Sequence, residues 1–119
     1  MLLSELQQAI DQWISGYEDG YWPPLANLAR LTEEVGELSR EINHRFGPKT
    51  KKSTEDVGSV ADELGDILFT VATLANSMGI DLDEVAAHTL AKVTKRDDQR
   101  WKKKDPGPSS AAESTPTGE

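Results

Sequence analysis

Two stretches decide how this chain folds: LARLTEEVGELSREINHRFG at residues 28–47 and VADELGDILFTVATLANSMGIDLDEV at residues 60–85. In the first, Leu28, Leu31, Val35, Leu38 and Ile42 recur at intervals of three and four, which puts them on one stripe of an α-helix. In the second, Val60, Leu64, Ile67, Leu68, Val71, Leu74, Ala75 and Met78 form a broader stripe of the same period. The boundaries agree with this reading. Pro24 suits a first helical turn, where its missing N–H costs nothing, and Gly47-Pro48 stops that helix. Ser59 with Asp62 resembles a capping box opening the next helix, and Gly79 closes it.

Working outward, Leu3, Leu6, Ile10, Trp13, Ile14 and Tyr17 predict an earlier helix that ends near Gly20, before Tyr21-Trp22-Pro23-Pro24. Beyond Gly79, Asp81 with Glu84 resembles a second capping box. It leads into Leu82, Val85, Ala86, Leu90 and Val93, with fraying expected near Trp101. Nothing reads as a strand, and there is no internal repeat. The expectation is an all-α, four-helix bundle over residues 1–101, with a polar loop at GPKTKKSTEDVG. Residues 102–119, KKKDPGPSSAAESTPTGE, hold three of the six prolines and no large apolar side chain. Such a segment cannot repay its ordering entropy, and it reads as a disordered tail. Phe69 lies off the main stripe of its helix, beside Ala72 and Ala75. A helix apolar on more than one side needs cover from more than one direction, so a homo-oligomer is expected.

Composition narrows the function. In 119 residues, 13 Lys and Arg face 21 Asp and Glu, for a net charge of −8. The tail is neutral, so the excess belongs to residues 1–101. This balance argues against nucleic acid as a partner and against a polybasic membrane-surface protein. The absence of cysteine excludes disulfides, Cys-zinc sites and thiol catalysis. No apolar run approaches the ~20 residues needed to span a bilayer, and the start lacks the basic and apolar regions of a signal peptide. A soluble, cytoplasmic protein is expected.

The acidic residues carry the chemistry. Glu33-Glu34-x-x-Glu37 lies on one central helix and Glu63-x-x-Asp66 on the next, each pair sharing a helix face at the margin of the apolar stripe. Across two antiparallel helices, Glu34, Glu37, Glu63 and Asp66 can converge. Two like charges ~5 Å apart repel by about 3 kcal/mol at an effective dielectric near 20, so four clustered carboxylates call for cations. All-oxygen ligands select hard ions, Mg²⁺ first and Mn²⁺ second. The alternative is an ordinary solvated face, with Arg30 pairing to Glu33, Glu34 or Glu37, and Arg45 to Glu41.

Other constellations fail. Glu41-x-x-His44 is half of a di-iron pattern, but Val85 stands three residues before His88, the only other histidine. The run from Gly47 to Ser53 is no P-loop, since Lys52 stands where its second glycine should be. On the last helix Lys92 and Arg96 are four apart, and Arg100 extends the row. These cations either grip an anion or answer the dipole at the helix C-terminus.

Together these motifs resemble a MazG-like nucleotide pyrophosphohydrolase of the all-α NTP pyrophosphatase superfamily, over about residues 5–101. The resemblance rests on E-E-x-x-E, E-x-x-D with the apolar run after it, the GIDLDEV link and the K-x-x-x-R of Lys92 and Arg96. It implies Mg²⁺-dependent hydrolysis of a nucleoside triphosphate to the monophosphate and pyrophosphate, often in nucleotide-pool cleansing. It also implies a MazG-like bundle assembled as a homodimer or homotetramer. By position, Glu34, Glu37, Glu63 and Asp66 would be the metal ligands. Glu33 would orient or deprotonate the attacking water, and Lys92 and Arg96 would hold triphosphate oxygens.

Specificity is less legible. Trp13, Tyr21 and Trp22 are candidates to stack on a base, Trp22 foremost, and Asn27, His44 or Asn76 to read its edge. Two alternatives stand beside the leading expectation. One is a pyrophosphohydrolase of another substrate, such as phosphoribosyl-ATP. The other is a non-catalytic helical module that binds nucleotide or protein and uses its acids for solubility.

Overall fold

Four α-helices follow one another: α1 Leu3–Ile14, α2 Pro24–Phe46, α3 Val60–Ser77 and α4 Leu82–Asp97. The structure, a computed structural model, describes residues 2–47 and 59–105, among which there is no strand. The expected loop at 48–58 and the tail beyond 105 lie outside the described residues. Lys102 to Asp105 are exposed and irregular.

Local chemistry explains most boundaries. Pro24 occupies the first position of α2, and the Gly47 N–H closes its far end on the Asn43 carbonyl at 2.8 Å. Ser59 caps α3 by accepting the Asp62 N–H on Oγ at 3.0 Å. After α3, Gly79 adopts φ +68°, and the Ile80 N–H reaches back to the Ala75 carbonyl at 2.9 Å while the Gly79 N–H reaches Asn76 at 3.2 Å. This is a Schellman closure, which needs the left-handed conformation that glycine adopts without strain. At α4, Asp81 accepts the N–H of Asp83 rather than that of Glu84.

Two ends differ from expectation. α1 stops at Ile14 rather than near Gly20, because Ser15 and Gly16 are weak helix formers and the Ser15 hydroxyl turns back to the Gln12 carbonyl at 3.0 Å. α4 ends at Asp97 rather than near Trp101. There the Asp97 carboxylate takes Arg96 at 3.1 Å and Arg100 at 3.5 Å.

The chain divides into two compact units, Met1–Ala86 and Ala87–Glu119. In the first, α3 packs on α2 and on α1. Its small core consists of Ile10 and Ile14 from α1 with Ala72 from α3, flanked by Leu6, Tyr21, Phe69 and Leu82. Ala72, fully buried, lets the two helices approach. The first turn of α4 secures α1 through Asp83, whose carboxylate accepts the Leu3 and Ser4 N–H groups at 3.1 and 3.3 Å. In the second unit, the remainder of α4 buries none of its side chains.

The apolar stripes are distributed differently from the sequence reading. Phe69, expected to point away from the packing face, is half-buried against α1, edge-on to Trp13 at 6.1 Å. The surplus lies instead in the stripe itself. Leu28, Val35 and Ile42 of α2 and Leu64 and Leu68 of α3 are each 41–52% exposed in the single chain. No described helix is long and apolar enough to cross a membrane.

Candidate active site

α2 and α3 bring together carboxylates from both acidic motifs. One oxygen each of Glu34, Glu37 and Glu63 lie within 4.8 Å of one another. Asp66, expected as a fourth member, is not one of these three but stands near enough for its charge to act on both Glu34 and Glu63. Pairing 34 with 66 and 37 with 63 is the register of antiparallel helices, one turn apart on each.

The electrostatics follow. Burial lifts the Glu34 carboxyl above the usual carboxylate range, helped by the charges of Asp66 and Glu37 and opposed by Arg30. Glu63 is lifted by burial, by its hydrogen bond with Glu37 and by the charges of Glu37, Asp66 and Glu34. Burial and like charge both disfavour the ionised form, so without a cation Glu34 and Glu63 hold their protons more strongly than free carboxyls do. Glu34 Oε2 and Glu63 Oε2 are buried with no hydrogen-bond partner. Orphaned oxygens in an all-carboxylate set are the donors a hard divalent ion takes, so the residues fit Mg²⁺ or Mn²⁺.

Arg30 is the nearby cation, with Nε 3.9 Å from Glu34 Oε1 and its guanidinium 5.8 Å from the Trp22 ring centre. It borders two hollows. The larger, about 650 Å³, is walled by Trp13, Tyr17, Trp22 and Phe69 and reaches Asp66. The smaller, about 390 Å³, lies between Trp22, Arg30, Glu33 and Glu34. Glu33 is thus beside the cluster at the smaller hollow without being one of the three converging carboxylates. Trp22, about half exposed, faces both hollows. Lys92 and Arg96 lie on α4 in the second unit, both exposed, with Arg96 engaged by Asp97.

Two groups named for base recognition are committed elsewhere. The Tyr21 hydroxyl donates to Asp11 at 2.6 Å and accepts from Asn76 at 3.0 Å, and the Asn76 amide is also bonded to Gln7. Sequence reasoning undervalued Arg30, weighed only as a partner for glutamates, and passed over Phe69, Thr70 and Thr73 as cavity walls. Arg30 stands one turn before Glu34 and eight residues after Trp22, a spacing that would have flagged it.

Comparison with known proteins identifies the family. The MazG nucleotide pyrophosphohydrolase domain matches residues 23–101. The chain is 47% identical over 105 residues to the uncharacterised protein YpjD of Bacillus subtilis, covering 88% of this chain and 95% of that one. It is 31% identical over 96 residues to YvdC of the same organism, covering 72% and 91%. The crystal structure of B. subtilis YpjD superposes with a TM-score of 0.70 over 77% of this chain and 94% of that one. A Bacillus-conserved MazG protein described as a nucleotide pyrophosphohydrolase superposes with a TM-score of 0.68 at 39% identity, covering 78% and 90%. With its four helices and both acidic motifs inside or beside the matched region, this chain belongs to the MazG nucleotide pyrophosphohydrolase family and is an enzyme of that kind.

Proposed function

We propose that the protein hydrolyses nucleoside triphosphates to the monophosphate and pyrophosphate in a Mg²⁺-dependent reaction, as a nucleotide-pool house-cleaning enzyme. The observation that carries this reading is the convergence of Glu34, Glu37 and Glu63 within 4.8 Å beside an aromatic hollow. Glu34, Glu37, Glu63 and Asp66 hold the metal. When bound, Mg²⁺ offsets the charge of a triphosphate near −4 and lowers the pKa of water. Glu33 orients or deprotonates the water that attacks the α-phosphorus in line, and the bond from that phosphorus to the pyrophosphate oxygen breaks. Lys92 and Arg96 bind triphosphate oxygens, and Trp22 stacks on the base.

The catalytic domain in this reading is residues 1–101, with 102–119 as its tail. The exposed leucines, valine and isoleucine of α2 and α3 support assembly as a homodimer or homotetramer in the cytoplasm. Light scattering coupled to gel filtration that returns a 13.1 kDa monomer at micromolar concentration would remove that part of the proposal.

The deciding experiment is product-resolved hydrolysis of standard and damaged nucleoside triphosphates, with Mg²⁺, Mn²⁺ or EDTA. The expected result is monophosphate plus pyrophosphate, abolished by EDTA. Orthophosphate as the first product refutes attack at the α-phosphorus. Turnover of phosphoribosyl-ATP in preference to every triphosphate would move the substrate assignment.

A further inference from the structure

Asn27, in the first turn of α2, is 3% exposed, and its side-chain Nδ2 is buried with no hydrogen-bond partner. Its backbone N–H is satisfied by the Pro23 carbonyl at 3.2 Å, so the orphaned donor is the side-chain Nδ2. An amide donor left unpaired in the interior costs about 1–3 kcal/mol, which a fold does not keep without a reason. The contrast with its neighbours is direct. The Gln7 amide is bonded at both ends, as is that of Asn76. The Thr70 and Thr73 hydroxyls donate to the carbonyls of Asp66 and Phe69 at 2.8 Å each.

Asn27 lines the larger hollow together with Trp13, Trp22, Phe69 and Asp66, its unpaired Nδ2 buried in that wall. Those walls specify a ligand of defined chemistry. Flat aromatic rings accept a flat heterocycle, and a neutral carboxamide supplies one donor and one acceptor side by side. Nucleobase edges present the complement, a ring nitrogen next to an exocyclic oxygen or amine. At the Asp66 margin the hollow meets the carboxylate cluster, the direction in which a sugar and phosphates would leave.

We infer that Asn27 is the specificity-determining residue of this enzyme, its carboxamide reading the edge of a nucleobase seated among Trp13, Trp22 and Phe69. The inference rests on the nucleotide reading of the site above. The buried orphan is then a group held ready for a substrate, at a cost to the stability of the free protein.

The test compares the wild type with Asn27→Leu, which keeps the branched shape and removes both polar atoms, and Asn27→Asp, which replaces the donor by an acceptor. Each is assayed on the four ribonucleoside triphosphates and on purine-riboside and 2-pyrimidinone-riboside triphosphates, which lack the exocyclic group. Binding of the corresponding monophosphates is followed in parallel by tryptophan fluorescence in EDTA, and melting temperatures are recorded.

For the wild type, kcat/KM for the preferred base should exceed that of its analogue lacking the exocyclic group by about 100-fold or more. Asn27→Leu should bring the two within about threefold while melting at or above the wild-type temperature, because it removes an unpaired amide. Asn27→Asp should move the ranking toward bases that carry an exocyclic amine. An unchanged ranking in both variants overturns the inference, as does a lower melting point of Asn27→Leu combined with an unaltered ranking in Asn27→Asp. If no triphosphate is hydrolysed, the enzymatic reading fails by itself. Monophosphate binding that loses base preference in Asn27→Leu still upholds the base-reading role, and absence of binding ends it.

Discussion

The two sides of α3 are built on opposite plans. Toward α1 the contact is closed and its polar groups are paired. Ile10, Ile14 and Ala72 form the core, while Gln7 donates to Asn76 at 2.9 Å and to the Ile80 carbonyl at 2.7 Å and accepts the Leu82 N–H at 2.9 Å. Toward α2 the contact gathers like charges and leaves Glu34 Oε2 and Glu63 Oε2 without partners. One side stabilises the fold. The other lowers stability in the free protein and keeps a place for cations. Arg30, with Nε 3.9 Å from Glu34 Oε1, offsets part of that charge.

This contrast can be broken most directly by substitution on the acidic side. Glu37→Gln and Asp66→Asn should lower metal-dependent turnover by roughly 10²–10³-fold or more, in line with losing one preorganised electrostatic group. In steady-state assays and chelator-treated melts, the same variants should unfold no more easily than the wild type. A variant that lost its fold would place the acidic contact in the same structural class as the α1 contact.

On the α1 side the expectation is reversed. Asn76→Ala removes one hydrogen bond each from the Gln7 amide, the Gln7 carbonyl and the Tyr21 hydroxyl, and should cost about 1–3 kcal/mol in urea unfolding. The folded fraction should keep its metal dependence. Loss of metal binding at unchanged stability would erase the division of labour between the two sides.

Titration sharpens the same comparison. Glu34 and Glu63 have raised pKa values in the folded state, so between their unfolded and folded values the native protein holds more protons. Stability then falls as pH rises through that interval. Melts in EDTA should show this decline from the usual carboxylate range upward, and Glu63→Gln should flatten it, as should saturating Mg²⁺ by displacing the protons. Across the helix, burial and the hydrogen bond to Asp11 raise the Tyr21 hydroxyl. Its contribution is complete below the ordinary tyrosine value and is lost as alkaline pH passes the raised one, with Tyr21→Phe removing that dependence. The smallest effect belongs to the start of α3, where Ser59→Ala should cost about 1 kcal/mol by loss of one cap.

Much of this arrangement was legible from spacing. The 3,4 intervals of α2 and α3, Pro24 at the start of one and Gly79 at the end of the other reflect local energetics, and the helices follow them. Glu34, Glu37 and Glu63 were legible as converging because helical period and an antiparallel turn suffice to predict it. The early end of α1 was not, since Trp13 and Tyr17 continue the apolar period while meeting each other edge-on at 5.4 Å outside regular packing. Phe69 was misread for a related reason: periodicity ranks faces by hydrophobicity, whereas small Ala72 and Ala75 decide which face admits a second helix.

The sequence by itself determined the helical class, the four segments and the acidic motifs, because propensity, capping and 3.6-residue periodicity act within a few neighbouring residues. Only the tertiary structure decided which amides are spent and which remain open. Asn27 and Asn76 are the same residue type on adjacent helices, yet Asn76 is consumed by Gln7 and Tyr21 while Asn27 has a buried Nδ2 without a partner beside an aromatic hollow. Hydrogen-bond satisfaction depends on groups distant in sequence meeting within about 3 Å, and no local pattern encodes that distance.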